Sequence, residues 1–79
     1  MTITPIQCRA AREMLKWRRE DLQEITKLAR ETIGNFEREI SSPTVRTLLD
    51  IRKAFENAGI EFINDEKGDG VKLLKKRKK

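Results

Sequence analysis

The side chains that could do chemistry in this sequence are arginines, lysines and carboxylates, because it holds no histidine and a single cysteine, Cys8. The absence of histidine removes the commonest general base. One cysteine without histidine cannot build a structural zinc site or an internal disulfide. The sequence also has no catalytic dyad or phosphate-binding loop. We therefore expect no enzyme activity, no metal, no cofactor and no small-molecule substrate.

The most informative polar residues lie in a predicted helix over 30–38. Ile33 and Phe36 form its apolar side. The opposite side carries Arg30, Glu31, Gly34, Asn35 and Arg38. Arginine can form two hydrogen bonds with guanine, asparagine can do so with adenine, and glutamate can accept from cytosine. This side is typical of a recognition helix in the major groove; an ordinary solvated helix face is the alternative.

Basic charge is concentrated at the end of the sequence, where the last nine residues hold six of the 18 lysines and arginines and no acid. We expect a disordered tail over 75–79 that attracts nucleic acid or anionic lipid. A solvated tail and a nuclear localisation run are alternatives. RNA binding is a further alternative, but the sequence offers no aromatic platform on which bases could stack. With no apolar run of about 18 residues, no membrane span is expected.

The first element that must position the polar side is a helix over about 5–16, predicted from the cap Thr4 and from Pro5 at the first helical position. Its inward stripe consists of Cys8, Ala11 and Leu15. We interpret Cys8 as a small buried residue, with a reactive thiol as the alternative. Trp17 is predicted to cover the core, with base stacking as the alternative. Arg9 and Arg12 lie off this stripe. We expect them either in solvent or over a neighbouring backbone.

Two short helices follow. The first is predicted over 20–26 with Leu22 and Ile25 inward, and about three residues join it to the helix over 30–38. Ile40 is predicted to close the edge of the core. Two short helices with such a connection are typical of a helix-turn-helix.

A fourth helix is predicted over about 43–58. Ser42 provides a cap and Pro43 occupies the first helical position, while Gly59 ends the helix in a left-handed conformation. The inward stripe is Val45, Leu48, Ile51, Phe55 and Ala58.

A hairpin is predicted from the β-like runs 60–63 and 71–74, separated by a polar loop over 64–70. A lone two-stranded hairpin is marginal in water, and its free edge can pair with a second copy. We therefore expect a homodimer joined through residues 60–74; a monomer whose hairpin packs on a helix is the alternative. The expected interface residues are Ile60, Phe62, Val71 and Leu73.

Residues that match the pattern of a known family run from Gln7 to Leu73. They are Gln7 to Arg12, Leu15, Trp17, Glu20 to Leu22, Thr32-Ile33, Asn35 to Glu37, Pro43, Thr47-Leu48, Ile51, Ala58 to Ile63 and Gly70 to Leu73. In these residues the sequence resembles phage-repressor and Cro-like helix-turn-helix regulators of the Xre family, in particular their short bacterial members. The resemblance implies a mainly α, lambda-repressor-like domain of four helices plus a C-terminal β-hairpin. It implies sequence-specific binding of double-stranded DNA, a role in transcription control and, usually, action as a dimer. Our leading hypothesis is a transcriptional repressor in the bacterial cytosol or nucleoid.

On this interpretation residues 1–63 hold the helix-turn-helix domain and the first hairpin strand, residues 64–74 the loop and second strand, and residues 75–79 the tail. The residues expected to read bases are Arg30, Glu31 and Asn35. Those expected to bind phosphates are Arg19, Lys27, Arg38, Lys75, Lys76 and Arg77.

The sequence departs from the family pattern mainly between residues 18 and 29. Arg18 replaces a Ser or Thr cap, and Arg19 replaces a phosphate-binding Gln that it can imitate. Gln23 replaces a small Ala. Lys27 replaces the turn Gly, which predicts a left-handed lysine, and Ala29 cannot cap the next helix. After these residues, Glu39 replaces another Gly. The departures leave an alternative function, a protein-interaction adaptor or antitoxin-like partner on a degenerate scaffold.

Overall fold

The computed structural model describes residues 3–75, which form four helices followed by one antiparallel hairpin. This confirms the predicted mainly α architecture. The elements are α1 (Pro5–Leu15), α2 (Arg19–Thr26), α3 (Arg30–Glu37), α4 (Val45–Asn57), β1 (Ile60–Asp65) and β2 (Gly68–Leu73). Within the described part of the chain, no helix is long and apolar enough to cross a membrane.

Side-chain caps define the starts of the two longest helices. Thr4 accepts a hydrogen bond from the Gln7 backbone N–H, with Pro5 at the first helical position, as predicted. The predicted start of α4 is wrong by two residues. Thr44, rather than Ser42, is the cap, because its hydroxyl accepts from the Thr47 N–H at 3.2 Å.

One continuous core lies between the helices and the hairpin. It contains the predicted inward residues Cys8, Leu22 and Ile33, none of which has any exposed surface. The Trp17 ring packs on Phe55 with a centroid distance of 5.6 Å, which confirms that the tryptophan covers the core. The other buried apolar residues are Ile3, Ala11, Phe36, Leu48, Ile51, Ala54, Phe55, Ile60 and Phe62.

Three residues predicted to face the core are instead exposed: Ile25 by 51%, Ile40 by 66% and Val45 by 65%. Ile25 lies in the last turn of the two-turn α2, where it borders a surface groove beside α4. Ile40 follows Glu39, whose left-handed backbone (φ 62°) turns the chain after α3. Val45 is the first residue of α4, one turn before Leu48, where burial begins.

The hairpin is longer, and its turn tighter, than the sequence predicted. The strands pair in register from Ile60 with Leu73 to Asp65 with Gly68, so the expected seven-residue loop is wrong. The Asp65 carboxylate accepts hydrogen bonds from the Lys67 and Gly68 backbone N–H groups at 2.9 and 3.1 Å. An aspartate that bonds its own backbone in this way closes a tight turn and lets the strands extend.

The inner face of the hairpin belongs to the core of its own chain. Ile60 and Phe62 are 2% and 7% exposed, and the Phe62 ring meets Phe55 edge-on at 6.0 Å. Val71 packs against the same core. Two of the four residues expected at a dimer interface are therefore covered within one chain, because the hairpin packs on α1 and α4. Leu73 remains 44% exposed.

Gln7, a buried polar residue of α1, links that helix to both strands. Its amide nitrogen donates to the carbonyls of Ile63 at 3.1 Å and Gly70 at 2.9 Å. Its amide oxygen accepts from the Thr4 N–H at 3.0 Å and from the Asn64 amide at 3.2 Å. Because every polar atom of this side chain is paired, its burial holds the hairpin in one position on α1.

Replacing Gln7 with alanine should lower the free energy of unfolding by about 1–2 kcal/mol, since it removes the helix cap partner and the bonds to both strands. Urea unfolding measures the change. Thr4→Ala is the matched control, because it removes the cap and leaves the strand bonds, and it should have the smaller effect. Equal effects of the two variants would mean that the strand bonds add nothing.

Candidate nucleic-acid interface

The connection between α2 and α3 is a three-residue turn of Lys27, Leu28 and Ala29. Lys27 has the left-handed backbone (φ 65°) that the resemblance to the family implied. The Thr26 hydroxyl donates to the Leu22 carbonyl at 2.8 Å and accepts from the Leu28 N–H at 3.3 Å. Ala29 precedes α3 without a side-chain cap, also as predicted. The turn is therefore held by Thr26 rather than by glycine or a cap.

Lys27→Gly should raise the free energy of unfolding by about 1 kcal/mol, because glycine adopts the left-handed region without the clash that a Cβ creates. The melting temperature measures this gain. Lys27→Ala is the control, since it removes the same charge and keeps the Cβ. If both variants raised the melting temperature equally, the gain would come from the lost charge.

The start of α2 replaces its missing cap with a carboxylate. Arg18 occupies the cap position, and its side chain caps nothing. Its backbone N–H instead donates to the Asp21 carboxylate at 2.8 Å. Asp21 and Glu20 also place negative charge in the first turn, which favours this end of a helix.

The two sides of α3 differ as predicted. Ile33 and Phe36 are buried, whereas Arg30, Glu31 and Arg38 are exposed and Asn35 is half-buried. Arg30 lies 3.8 Å from Glu20 in an exposed ion pair. Such a pair is weak in water and is easily exchanged for another partner. The base-reading residues of the sequence prediction therefore share one surface.

Gly34 lies on the same side of α3, but it is buried. The guanidinium group of Arg38 lies over it, so that a Cβ on Gly34 would be 3.2 Å from the nearest Arg38 nitrogen.

A cleft of about 520 Å³ opens between the start of α2 and the exposed side of α3. It is rich in positive charge, with five arginines against two carboxylates. Its lining is Arg12, Arg18, Arg19, Glu20, Arg30, Glu31, Gly34 and Arg38. Guanidinium groups donate hydrogen bonds in a planar fork that fits phosphate, so the cleft suits a phosphate group.

Glu37, a carboxylate with no exposed surface, lies beneath this cleft. Arg12 donates two hydrogen bonds to it, at 2.7 and 2.8 Å, and Arg19 donates a third at 3.0 Å. The Cys8 thiol donates at 3.1 Å. The Arg9 guanidinium donates to the Glu37 backbone carbonyl. These contacts join α1, α2 and α3 around one buried charge.

The electrostatics of this group favour the ionised carboxylate. Burial alone raises the pKa of Glu37, but the hydrogen bonds from Arg12, Cys8 and Arg19 outweigh it and hold the pKa below its ordinary value. The bond to Glu37 raises the pKa of Arg12. Burial, followed by the charge of Glu37, raises the pKa of the Cys8 thiol far above its ordinary value. Because the thiolate is the reactive form, a reactive Cys8 is disfavoured.

Sequence reasoning missed the Glu37 network. The sequence did not decide whether Arg9 and Arg12 lie in solvent or over a neighbouring backbone, and in the structure both contact Glu37. A signal was present: Glu37 lies four residues after Ile33, so a charge falls on the inward side of α3. Arg19, predicted to bind phosphate, bonds Glu37 through Nε and also lines the cleft.

Of the predicted phosphate contacts not yet placed, two lie within the described residues. Lys27 is exposed in the turn, and Lys75 is exposed after β2. Lys76 and Arg77 lie outside the described residues.

The helix-turn-helix geometry agrees with the comparison with known families. A model of the helix-turn-helix family matches residues 9–61, which is two thirds of the chain. The chain belongs to this family, the domain of Xre/Cro-like helix-turn-helix regulators. The members of this family are DNA-binding regulatory domains, and the family is not an enzyme family. No curated protein matches the chain significantly.

Proposed function

We propose that the protein is a sequence-specific repressor of transcription that places α3 in the major groove of duplex DNA. The observation that carries this proposal is the exposed side of α3, where Arg30, Glu31 and Asn35 lie beside the arginine-lined cleft. Side chains with both donor and acceptor groups suit base edges. A bacterial cytosol or nucleoid is the compartment consistent with this function.

The proposed contacts divide into two classes. Arg30, Glu31 and Asn35 read base edges from α3. The phosphate contacts position the helix but carry little sequence information. These are Arg19, Lys27, Arg38, Lys75, Lys76 and Arg77. The cleft supports this division, because Arg19 and Arg38 line it together with the proposed base-reading residue Arg30.

The experiment that tests this division is the salt dependence of duplex binding by the full chain, followed by fluorescence anisotropy. Each neutralised phosphate contributes about 0.9 to the slope of log affinity against log salt. Removing Lys75–Lys79 should flatten the slope and weaken a preferred and a random duplex equally. If the affinity fell for the preferred duplex alone, the tail would enter a groove of the DNA and contact bases there. Salt-independent binding without sequence preference would instead favour the adaptor function.

We also propose that two copies bind together. Both outer edges of the two-stranded sheet lack a strand partner within the described residues, and Leu73 is exposed next to one of them. Because Ile60 and Phe62 are covered by their own chain, pairing would use strand edges and Leu73 rather than the inner face. A two-fold dimer predicts an inverted-repeat operator with half-sites about 34 Å apart. An operator with a single half-site would contradict it.

A further inference from the structure

Gly34 lies in the middle of α3, where glycine weakens a helix relative to alanine. Its surroundings provide a reason for its presence. A Cβ built on Gly34 would lie 3.2 Å from one terminal nitrogen of Arg38 and 3.3 Å from the other. The guanidinium group therefore lies so close that a Cβ at position 34 would require it to shift by a few tenths of an ångström.

From this place Arg38 reaches Asn35. Its Nη2 donates to the Asn35 Oδ1 at 3.3 Å. Long side chains of a helix lean toward the preceding turn, which brings residue 38 over residues 34 and 35. The contact orients the amide: Oδ1 faces Arg38, and Nδ2 faces away from it.

We propose that Gly34 and Arg38 are positioning residues that set the amide of Asn35 for adenine; this inference rests on the proposed function. Asparagine recognises adenine by accepting from N6 and donating to N7, so the amide must present its oxygen and nitrogen in one order. The Asn35 oxygen has two lone pairs and can accept from Arg38 and adenine together. Arg38 keeps further N–H groups for a phosphate.

The test compares Gly34→Ala, Arg38→Ala and the double variant on duplexes that differ at one base pair. That base pair is the one at which Asn35→Ala flattens the preference of the full chain. Gly34→Ala and Arg38→Ala should each reduce discrimination there by about fivefold to tenfold. The double variant should lose no more than either single variant, because Gly34 acts through Arg38.

Folding provides the control for Gly34→Ala. Its melting temperature should be unchanged or higher, since alanine has the greater helix propensity and the neighbour that must move is the end of a flexible side chain. Without DNA, the same substitution should shift the Asn35 side-chain amide signals in a ¹⁵N–¹H spectrum. Unshifted signals would overturn the inference.

Two binding results would also overturn the inference while leaving the proposed function intact. One is full discrimination by Gly34→Ala at the Asn35 base pair. The other is an equal loss of affinity for every duplex in Arg38→Ala, which would make Arg38 a phosphate contact alone. A wild-type chain with no sequence preference would instead contradict the proposed function itself.

Discussion

Replacing Arg12 with methionine is expected to lower the free energy of unfolding by about 3–5 kcal/mol, because it leaves a buried charge without its main partner. Glu37 has no exposed surface, and Arg12 supplies two of its hydrogen bonds. A domain of this size has a total stability of about 4–12 kcal/mol. The single substitution therefore removes a large part of the stability, which urea unfolding measures.

Two further variants make this expectation specific. Arg9→Met removes a neighbouring positive charge that bonds the Glu37 backbone carbonyl, and it should lower the free energy of unfolding by about 1 kcal/mol. The double variant Arg12→Met with Glu37→Met should recover most of the loss, since a buried apolar pair avoids the desolvation of two ions. Equal losses for Arg9→Met and Arg12→Met would contradict the central role of the Arg12–Glu37 pair.

The same pair predicts a pH dependence. Because the pKa of Glu37 is lowered on folding, its contribution is fully present above the ordinary value of 4.5 and is lost as the pH falls through the lowered folded value. The stability of the wild type should therefore fall more steeply than that of Glu37→Gln below pH 4.5. Parallel pH curves for the two proteins would show that Glu37 is not preferentially ionised in the folded state.

Substitutions on the exposed side of α3 should have the largest effects on DNA binding. Arg30→Ala and Asn35→Ala should each weaken the preferred duplex by about 1–3 kcal/mol, roughly fivefold to 150-fold, at one base pair. Arg30 gives up only a weak, exposed pair with Glu20 when it turns to a base. Competition binding against duplexes changed at single positions measures the loss.

Lys53→Ala is the charge-matched control for Arg30→Ala, because Lys53 is exposed on α4, beside the groove that Ile25 borders. It should leave the sequence preference unchanged. If Arg30→Ala and Asn35→Ala weakened preferred and random duplexes equally, both residues would be phosphate contacts rather than base-reading residues.

Much of the fold was predictable because local signals agree with one another. The cap at Thr4 and the stripe through Leu48, Ile51 and Phe55 each follow from one stretch of sequence. The left-handed Lys27 follows instead from the resemblance to the family, whose turn has a glycine at this position. Val45, Ile25 and Ile40 were wrongly placed because periodicity gives the side of a helix and not how far the core extends along it. The limit of burial depends on where other elements end.

The candidate site was only partly predictable for a different reason. The exposed side of α3 follows from spacing within one helix, but the Glu37 network joins residues up to 29 positions apart. Such contacts depend on how α1, α2 and α3 pack. Gly34 likewise acquires its role only when the side chain of Arg38 folds back over it.

Base reading by α3 is tested most directly by in vitro selection of duplex DNA with the full-length chain. We expect enrichment of an inverted repeat whose half-sites are centred about one helical turn apart. Selection with Asn35→Ala should lose the preference at one base pair in each half-site. Recovery of no common sequence, with equal retention of all duplexes, would contradict base reading by α3.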